Sequence, residues 1–145
     1  MSDIRLADFE DAPELERISK SSMTSFWHKA DFEDAIISQN AVVFVAVSDG
    51  QLAGYVVMYF AADEGEIPSV ATHIDHRKRG IGSSLMNIIR SEAKKRNLSK
   101  IFLEVRVGNE TAHRLYEKSG FIVSGTRKNF YDNPKEDADI MVCLL

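Results

Sequence analysis

Arg77-Lys78-Arg79-Gly80-Ile81-Gly82-Ser83 marks a change of pattern in the chain. Downstream, Ile81, Leu85, Ile88, Ile89 and Ala93 recur at helical spacing, with Arg90, Lys94 and Lys95 outside the stripe. This periodicity predicts a helix from Gly80 to near Asn97, a residue that tolerates a left-handed cap. Upstream, Glu66 to Ile74 reads as a strand. A strand, a basic turn with two glycines and a strong helix together suit an anion. The helix start offers unpaired N–H groups and partial positive charge, and glycines admit close approach. Arg77, Lys78 and Arg79 add fixed charge, so the segment reads as a pyrophosphate cradle. It is not a Walker loop, since no Gly-Lys-Ser/Thr follows. It is not a dinucleotide fingerprint, since the third glycine is missing.

Working outward, Ile4 and Leu6 suggest a short first strand, and Asp11-Ala12-Pro13-Glu14 reads as a helix start. Ser19 to Lys29, with Met23, Phe26 and Trp27, reads as a loop. Asp31 is a candidate cap for a second short helix. Ala41 to Val47, the Asp49-Gly50 turn and Leu52 to Phe60 read as a hairpin. The strand from Glu66 follows, with Pro68 at an edge or irregular point. Ile101 to Val107 is a candidate central strand. Asn109 is positioned to cap a helix holding Ala112, Leu115 and Tyr116, which stops at Ser119-Gly120. Phe121 to Val123 and Ile140 to Leu145 read as two last strands, separated by the loop Asp132-Asn133-Pro134. The order is βααβββαβαββ: an α/β fold with a mixed central sheet and helices on both faces. Without a repeat or linker, residues 1–145 are expected to form one domain.

The 145 residues carry 18 bases and 22 acids, a net charge of −4. The charge is uneven: −10 over residues 1–76, +7 over 77–100 and −1 thereafter. An acidic body with one basic segment argues against an indiscriminate nucleic-acid binder and fits a cationic acceptor. One cysteine, Cys143, excludes an internal disulfide framework and reads as core. His28, His73, His76 and His113 show no metal-ligand spacing, and no metal is expected. No apolar run approaches a membrane span, and Met1-Ser2-Asp3-Ile4-Arg5 does not begin a signal peptide, so the expected compartment is the cytosol.

Two further residues bear on chemistry. Glu104 lies mid-strand, facing away from Leu103 and Val105. An acid there is either solvated, paired with Arg106 or another base, or a general base at the sheet edge. Tyr116 lies on the apolar side of its helix. It is either a core residue or, facing the same cleft as Glu104, a proton donor.

The element order and Arg77-x-x-Gly80-x-Gly82 resemble the GNAT superfamily of acetyl-CoA-dependent N-acetyltransferases, over nearly the whole chain. Leu103-Glu104-Val105-Arg106-Val107-Gly108-Asn109 and Leu115-Tyr116-Glu117-Lys118-Ser119-Gly120-Phe121 are similar to the RimI group, which acetylates a ribosomal protein's N-terminal alanine. They are equally similar to the catalytic subunit of archaeal N-terminal acetyltransferases. Arg127-Lys128-Asn129-Phe130-Tyr131, Glu136-Asp137-Ala138 and Ile140-Met141 agree with both. The resemblance implies that backbone of Val70, Ala71 and Thr72 holds the acetyl and pantetheine portion. It implies that backbone from Lys78 through Arg79, Gly80, Ile81 and Gly82 to Ser83 binds the pyrophosphate, and that Asn109 contacts acetyl-CoA. Glu104 is implied as general base through water and Tyr116 as general acid toward the CoA thiolate. Strand N–H groups near Val70 are expected to stabilise the oxyanion. Phe130-Tyr131 and Trp27 are implied on the acceptor side.

Two departures from the RimI pattern touch that side. Phe130 replaces a tyrosine, and Phe26 and His28 flank Trp27 where Pro and Ser are usual. The expected activity is direct acetyl transfer to the N-terminal amine of a protein such as a ribosomal protein, without nucleic acid or membrane. The alternatives are a GNAT enzyme acting on a small polyamine-like amine or a lysine side chain, a noncatalytic CoA-binding sensor, and a nucleic-acid binder using residues 77–100.

Overall fold

The computed structural model describes residues 2–22 and 26–145. In chain order the elements are β1 (Ser2–Leu6), α1 (Ala12–Ser22), α2 (Lys29–Ile37), β2 (Ala41–Ser48), β3 (Gln51–Ala61) and β4 (Glu64–Thr72). They continue with α3 (Ile81–Lys95), β5 (Lys100–Arg106), α4 (Glu110–Lys118), β6 (Ile122–Tyr131) and β7 (Glu136–Leu144). Short 3-10 turns at Phe9–Asp11 and Ile74–His76 complete the βααβββαβαββ order expected above.

All seven strands join one sheet in the order β1-β2-β3-β4-β5-β7-β6. β1 to β4 pair antiparallel in succession, because tight turns connect β2, β3 and β4. β4 and β5 pair parallel, because α3 carries the chain back across the sheet. β7 lies between β5 and β6, antiparallel to both.

Alternation along the strands feeds two cores. On one face α3 and α4 cover Val56, Met58, Leu103, Val105, Met141 and Cys143. On the other, α1 and α2 cover Val43, Val45, Tyr55, Val57 and Ala71. Phe32 of α2 meets the Tyr55 ring edge-on at 4.9 Å. α3 approaches β3 closely because Gly54 has no side chain. A Cβ there would lie 2.8 Å from the Ala71 carbonyl oxygen and 3.2 Å from both Ile81 and Leu85.

Several boundaries differ from the sequence expectation. β6 runs to Tyr131 instead of ending at Val123, and β7 begins at Glu136 instead of Ile140. β6 is an exposed edge strand, so its partner β7 defines it and apolar alternation does not. β4 stops at Thr72, and Ile74 belongs to the following turn. The stretch read as a loop from Ser19 begins as helix, since α1 continues to Ser22; Met23 lies outside the described residues. Asp31 is not the cap of α2. His28 holds that position, and Asp31 reaches back to accept the His28 N–H at 2.9 Å.

Gly54→Ala tests the close approach of β3 and α3. Overpacking against a backbone oxygen should lower unfolding free energy by about 1–3 kcal/mol. A urea midpoint equal to wild type would show that α3 has room to spare.

Candidate active site

β4 and β5 part midway. Their pairing runs from Glu64↔Lys100 to Ile67↔Leu103 and no further. Pro68 follows at once and has no N–H to offer a neighbour. Opposite it, the β3–β4 register slips between Val57 and Tyr59, which bends β4 away. Beyond this point β4 stays paired with β3 as far as Thr72↔Gly54, and β5 stays paired with β7 as far as Arg106↔Ala138. The inner edges of the two strands are therefore left facing an opening.

The His73 N–H donates to the Ala53 carbonyl at 2.7 Å. Alternation along an antiparallel pair then turns the Ala71 amide toward β3 and those of Val70 and Thr72 toward the opening. The Thr72 carbonyl accepts from Ser22 Oγ at 3.1 Å and from Arg77 Nε at 3.5 Å. Of the three backbone positions expected to hold acetyl and pantetheine, Val70 and Thr72 thus present the free edge, while the Ala71 side chain is core.

The basic turn stands at the same end of β4. Lys78 has φ 64° and Gly80 φ 77°, and nothing lies within 4 Å of where a Gly80 Cβ would be. The first α3 bond is Ser84 N–H to the Gly80 carbonyl at 3.0 Å, with Ser84 Oγ on the same oxygen. The preceding N–H groups of Ile81, Gly82 and Ser83 are those that a helix start leaves unpaired. At Gly82 a Cβ would meet Leu115 at 3.0 Å, so this glycine also lets α3 and α4 pack. Arg77, Lys78 and Arg79 are all exposed. The Arg79 guanidinium is committed elsewhere, 3.1 Å from Asp49 and 3.3 Å from His76 Nδ1.

β5 presents Glu104 on the face opposite the α3 core, as alternation predicted. Its partner is Arg127 of β6, whose Nε lies 3.4 Å from Glu104 Oε2. The contact is an ion pair without hydrogen-bond geometry, and that buried oxygen has no hydrogen-bond partner among the described residues. Burial pushes the Glu104 carboxyl above the usual carboxylate range. Arg127 opposes this and the charge of Glu66 adds to it. Arg106 takes another path. It pairs with Glu136 at 3.2 Å, donates to the carbonyls of Pro134 and Asp132 at 2.8 and 2.9 Å, and stacks on Tyr131 at 4.4 Å. It thereby ties the β6–β7 turn to β5.

Asn109 caps α4, its side chain accepting the Ala112 N–H at 3.1 Å. One face of α4 carries Tyr116 into the core, and burial holds its phenol far above the ordinary tyrosine range, with Tyr131 and Tyr55 adding to the shift. Tyr131 bears on Tyr116, and Glu104 on Tyr131, through charge. Its own phenol is pushed up to about 12 by burial first and by Glu104 next.

Phe130 is exposed and meets Tyr131 edge-on at 5.0 Å. Trp27 is half-buried, its ring edge-on to Phe32 at 5.2 Å and its backbone N–H donating to Ser19 Oγ at 2.9 Å. A cavity of about 460 Å³ lined by Tyr59, Glu64, Glu66 and Phe102 lies at the opposite end of the strands from the basic turn. Sequence reasoning missed Arg127 as the partner of Glu104, and also Glu66. Both act across strands, and only the register brings them near.

The arrangement is a slot between two strands, with backbone donors on one wall, a basic turn and helix start at one end, and the raised Glu104 carboxyl on the face of β5 away from α3. Residues 8–121 match the Acetyltransferase (GNAT) family. A Bacillus subtilis relative, named provisionally as a [ribosomal protein bS18]-alanine N-acetyltransferase, is 32% identical over 95% of this chain and 92% of its own length. The crystal structure of the ribosomal-protein-S18-alanine N-acetyltransferase from Escherichia coli superposes with a TM-score of 0.91. It is 27% identical and covers 99% of this chain and 94% of that one. Ard1 from Thermoplasma volcanium also gives 0.91, at 26% identity over 99% and 97% of the two chains. The chain belongs to the GNAT acetyltransferase family and has its fold.

Proposed function

We propose that this enzyme transfers acetyl from acetyl-CoA to the N-terminal α-amine of a protein, in one step within a ternary complex. The observation that carries the reading is the parting of β4 from β5 beside the basic start of α3, and the raised Glu104 carboxyl and the buried Tyr116 phenol support it. The names of the Bacillus subtilis and Escherichia coli relatives support a ribosomal-protein N-terminus as the acceptor.

Acetyl-CoA supplies the acyl group as a thioester. In this reading the N–H groups of residues 78–83 receive its pyrophosphate, and those of Val70 and Thr72 receive the pantetheine amides and the acetyl oxygen. Asn109 borders the cofactor at the start of α4. An α-amine has a pKa of about 7.7–8.0 and arrives as ammonium. Glu104 takes its proton, through water, onto the oxygen left without a hydrogen bond. The amine then attacks the thioester carbon. Tyr116, kept protonated by burial, gives its proton to the departing sulfur, and the second proton of the acetylated nitrogen restores the phenol. Trp27, Phe130 and Tyr131 line the acceptor side. Phe130 lacks a hydroxyl for peptide backbone, so Tyr131 supplies that contact alone.

The first test is CoA release with acetyl-CoA and peptides beginning with Ala, Ser, Met and Glu, beside an N-terminally blocked lysine peptide and spermidine. Turnover confined to free N-termini is expected. Turnover only on spermidine or lysine would leave the family intact and overturn the acceptor assignment.

Glu104→Gln and Tyr116→Phe should each lower kcat about 10²- to 10⁴-fold without loss of fold. Wild-type turnover in both would remove the acid–base roles. The acid limb of kcat/KM should lie above the ordinary carboxylate range, because activity needs Glu104 ionised and burial raises its pKa. Arg127→Met removes the charge that lowers that pKa and should move the limb to higher pH. A limb that stays in place would assign it to another group.

A further inference from the structure

α4 carries both Tyr116 and the Asn109 cap, yet it is only nine residues long and Tyr116 is its one buried residue. A helix this short has little stability of its own, so its contacts set its position. Ala112 and Leu115 give partly buried apolar contacts. A polar attachment is His113. Its Nε2 lies 3.0 Å from Asp139 Oδ2 of β7, and its Nδ1 lies 2.8 Å from the carbonyl oxygen of Asn109. The other carboxylate oxygen of Asp139 accepts from Thr126 Oγ1 of β6 at 3.0 Å. The two side chains are 14% and 19% exposed, so water competes poorly for the pair.

Both ring nitrogens of His113 therefore face oxygen acceptors. A neutral imidazole has one N–H and would set a lone pair against one of those oxygens. Only the doubly protonated ring donates to both. Asp139 sits opposite Val105 in the sheet register, one residue from the position opposite Glu104. The ring thus joins the first turn of α4 to the strand beside the one that bears the base.

We propose that His113 is a positioning residue: as an imidazolium it pins α4 to β7, and so sets where the Tyr116 hydroxyl and the Asn109 cap stand at the opening. The proposal rests on the role given to Tyr116 above.

The charged groups that bear on the ring are Asp139 from β7 and Glu117 from α4 itself; β6 contributes the neutral Thr126 hydroxyl. Burial works against the ring's charge. The bonds to Asn109 and Asp139 and the charges of Asp139 and Glu117 outweigh it, and the His113 pKa lies above its ordinary value. The sign follows. The stabilisation is complete below the unfolded-state histidine pKa and is lost as pH rises through the folded value. Tyr116 titrates far higher, so a fall in rate as pH rises through the His113 midpoint reports the pin and not the proton donor.

The test combines three measurements on the whole chain. Nitrogen NMR of the histidine rings, with His113 assigned through His113→Asn, should show both His113 nitrogens protonated at neutral pH. The His113 midpoint should fall in Asp139→Asn. Hydrogen exchange of the α4 amides should accelerate in His113→Gln beyond any change in α3. The wild-type kcat should decline about tenfold or more as His113 deprotonates, as expected from losing one charge-assisted hydrogen bond. That decline should vanish in His113→Leu/Asp139→Leu, whose apolar contact carries no proton. A purely structural pair would lower Tm in the variants and leave the alkaline limb unchanged. A His113 midpoint at or below about 6.5, or a limb that persists in the double variant, overturns the proposal. If no amine is acetylated at all, the proposed function fails, while NMR and α4 exchange still decide the pin.

Discussion

The rest of the site depends on the parting of β4 from β5 after Ile67 and Leu103. A continuous sheet would spend every inner amide on a neighbour. The separation leaves backbone donors with no partner in the ladder, and unpaired buried amides carry a free-energy cost that a ligand can relieve. The slip in register opposite Ile67-Pro68 and the missing N–H of Pro68 keep the strands apart. β3 and β7 hold the two outer sides fixed. The opening is therefore a stable feature of the sheet, and the helices that flank it are aimed by the same strands. β4 leads directly to the basic turn, and β5 leads directly to α4.

Electrostatics divides the site into two ends. The start of α3 carries exposed Arg77 and Lys78 and a helix dipole that favours an anion. The face around Glu104 carries Glu66 and, farther down the strands, Glu64. The acidic body of the chain favours a cationic acceptor, and the basic segment favours an anionic donor. Among the described residues, Arg127 is the cation whose charge lowers the Glu104 pKa. Its 3.4 Å ion pair tempers the base without consuming its hydrogen-bonding capacity. Arg106, two residues along β5 on the same face, fastens the β6–β7 turn.

Much of this was legible in the chain. The α3 stripe, the Asp49-Gly50 turn and the alternation around Glu104 are local patterns, and each appears in the structure where its spacing puts it. The left-handed cap at Asn97 is equally local, with φ 59°. What was not legible is cross-strand. β6 reads as polar because it is an edge, so its extent to Tyr131 follows only from pairing with β7. The partner of Glu104 could be any base until the register brought Arg127 across from β6. Arg79 looked like part of the cradle because it adjoins Gly80, yet its guanidinium reaches Asp49, thirty residues earlier in the chain. His113 and Asp139 are 26 residues apart and belong to no short motif. The composition likewise conveys an acidic body but not that Glu66 is felt by Glu104.

The most direct measurement is a crystal structure of the chain with CoA bound. The account predicts pantetheine lying between β4 and β5, its amides on the backbone of Val70 and Thr72, the pyrophosphate on the N–H groups of residues 78–83, and sulfur next to the Tyr116 hydroxyl. CoA seated instead in the cavity at Tyr59, Glu64, Glu66 and Phe102, with the β4–β5 opening empty, would contradict it.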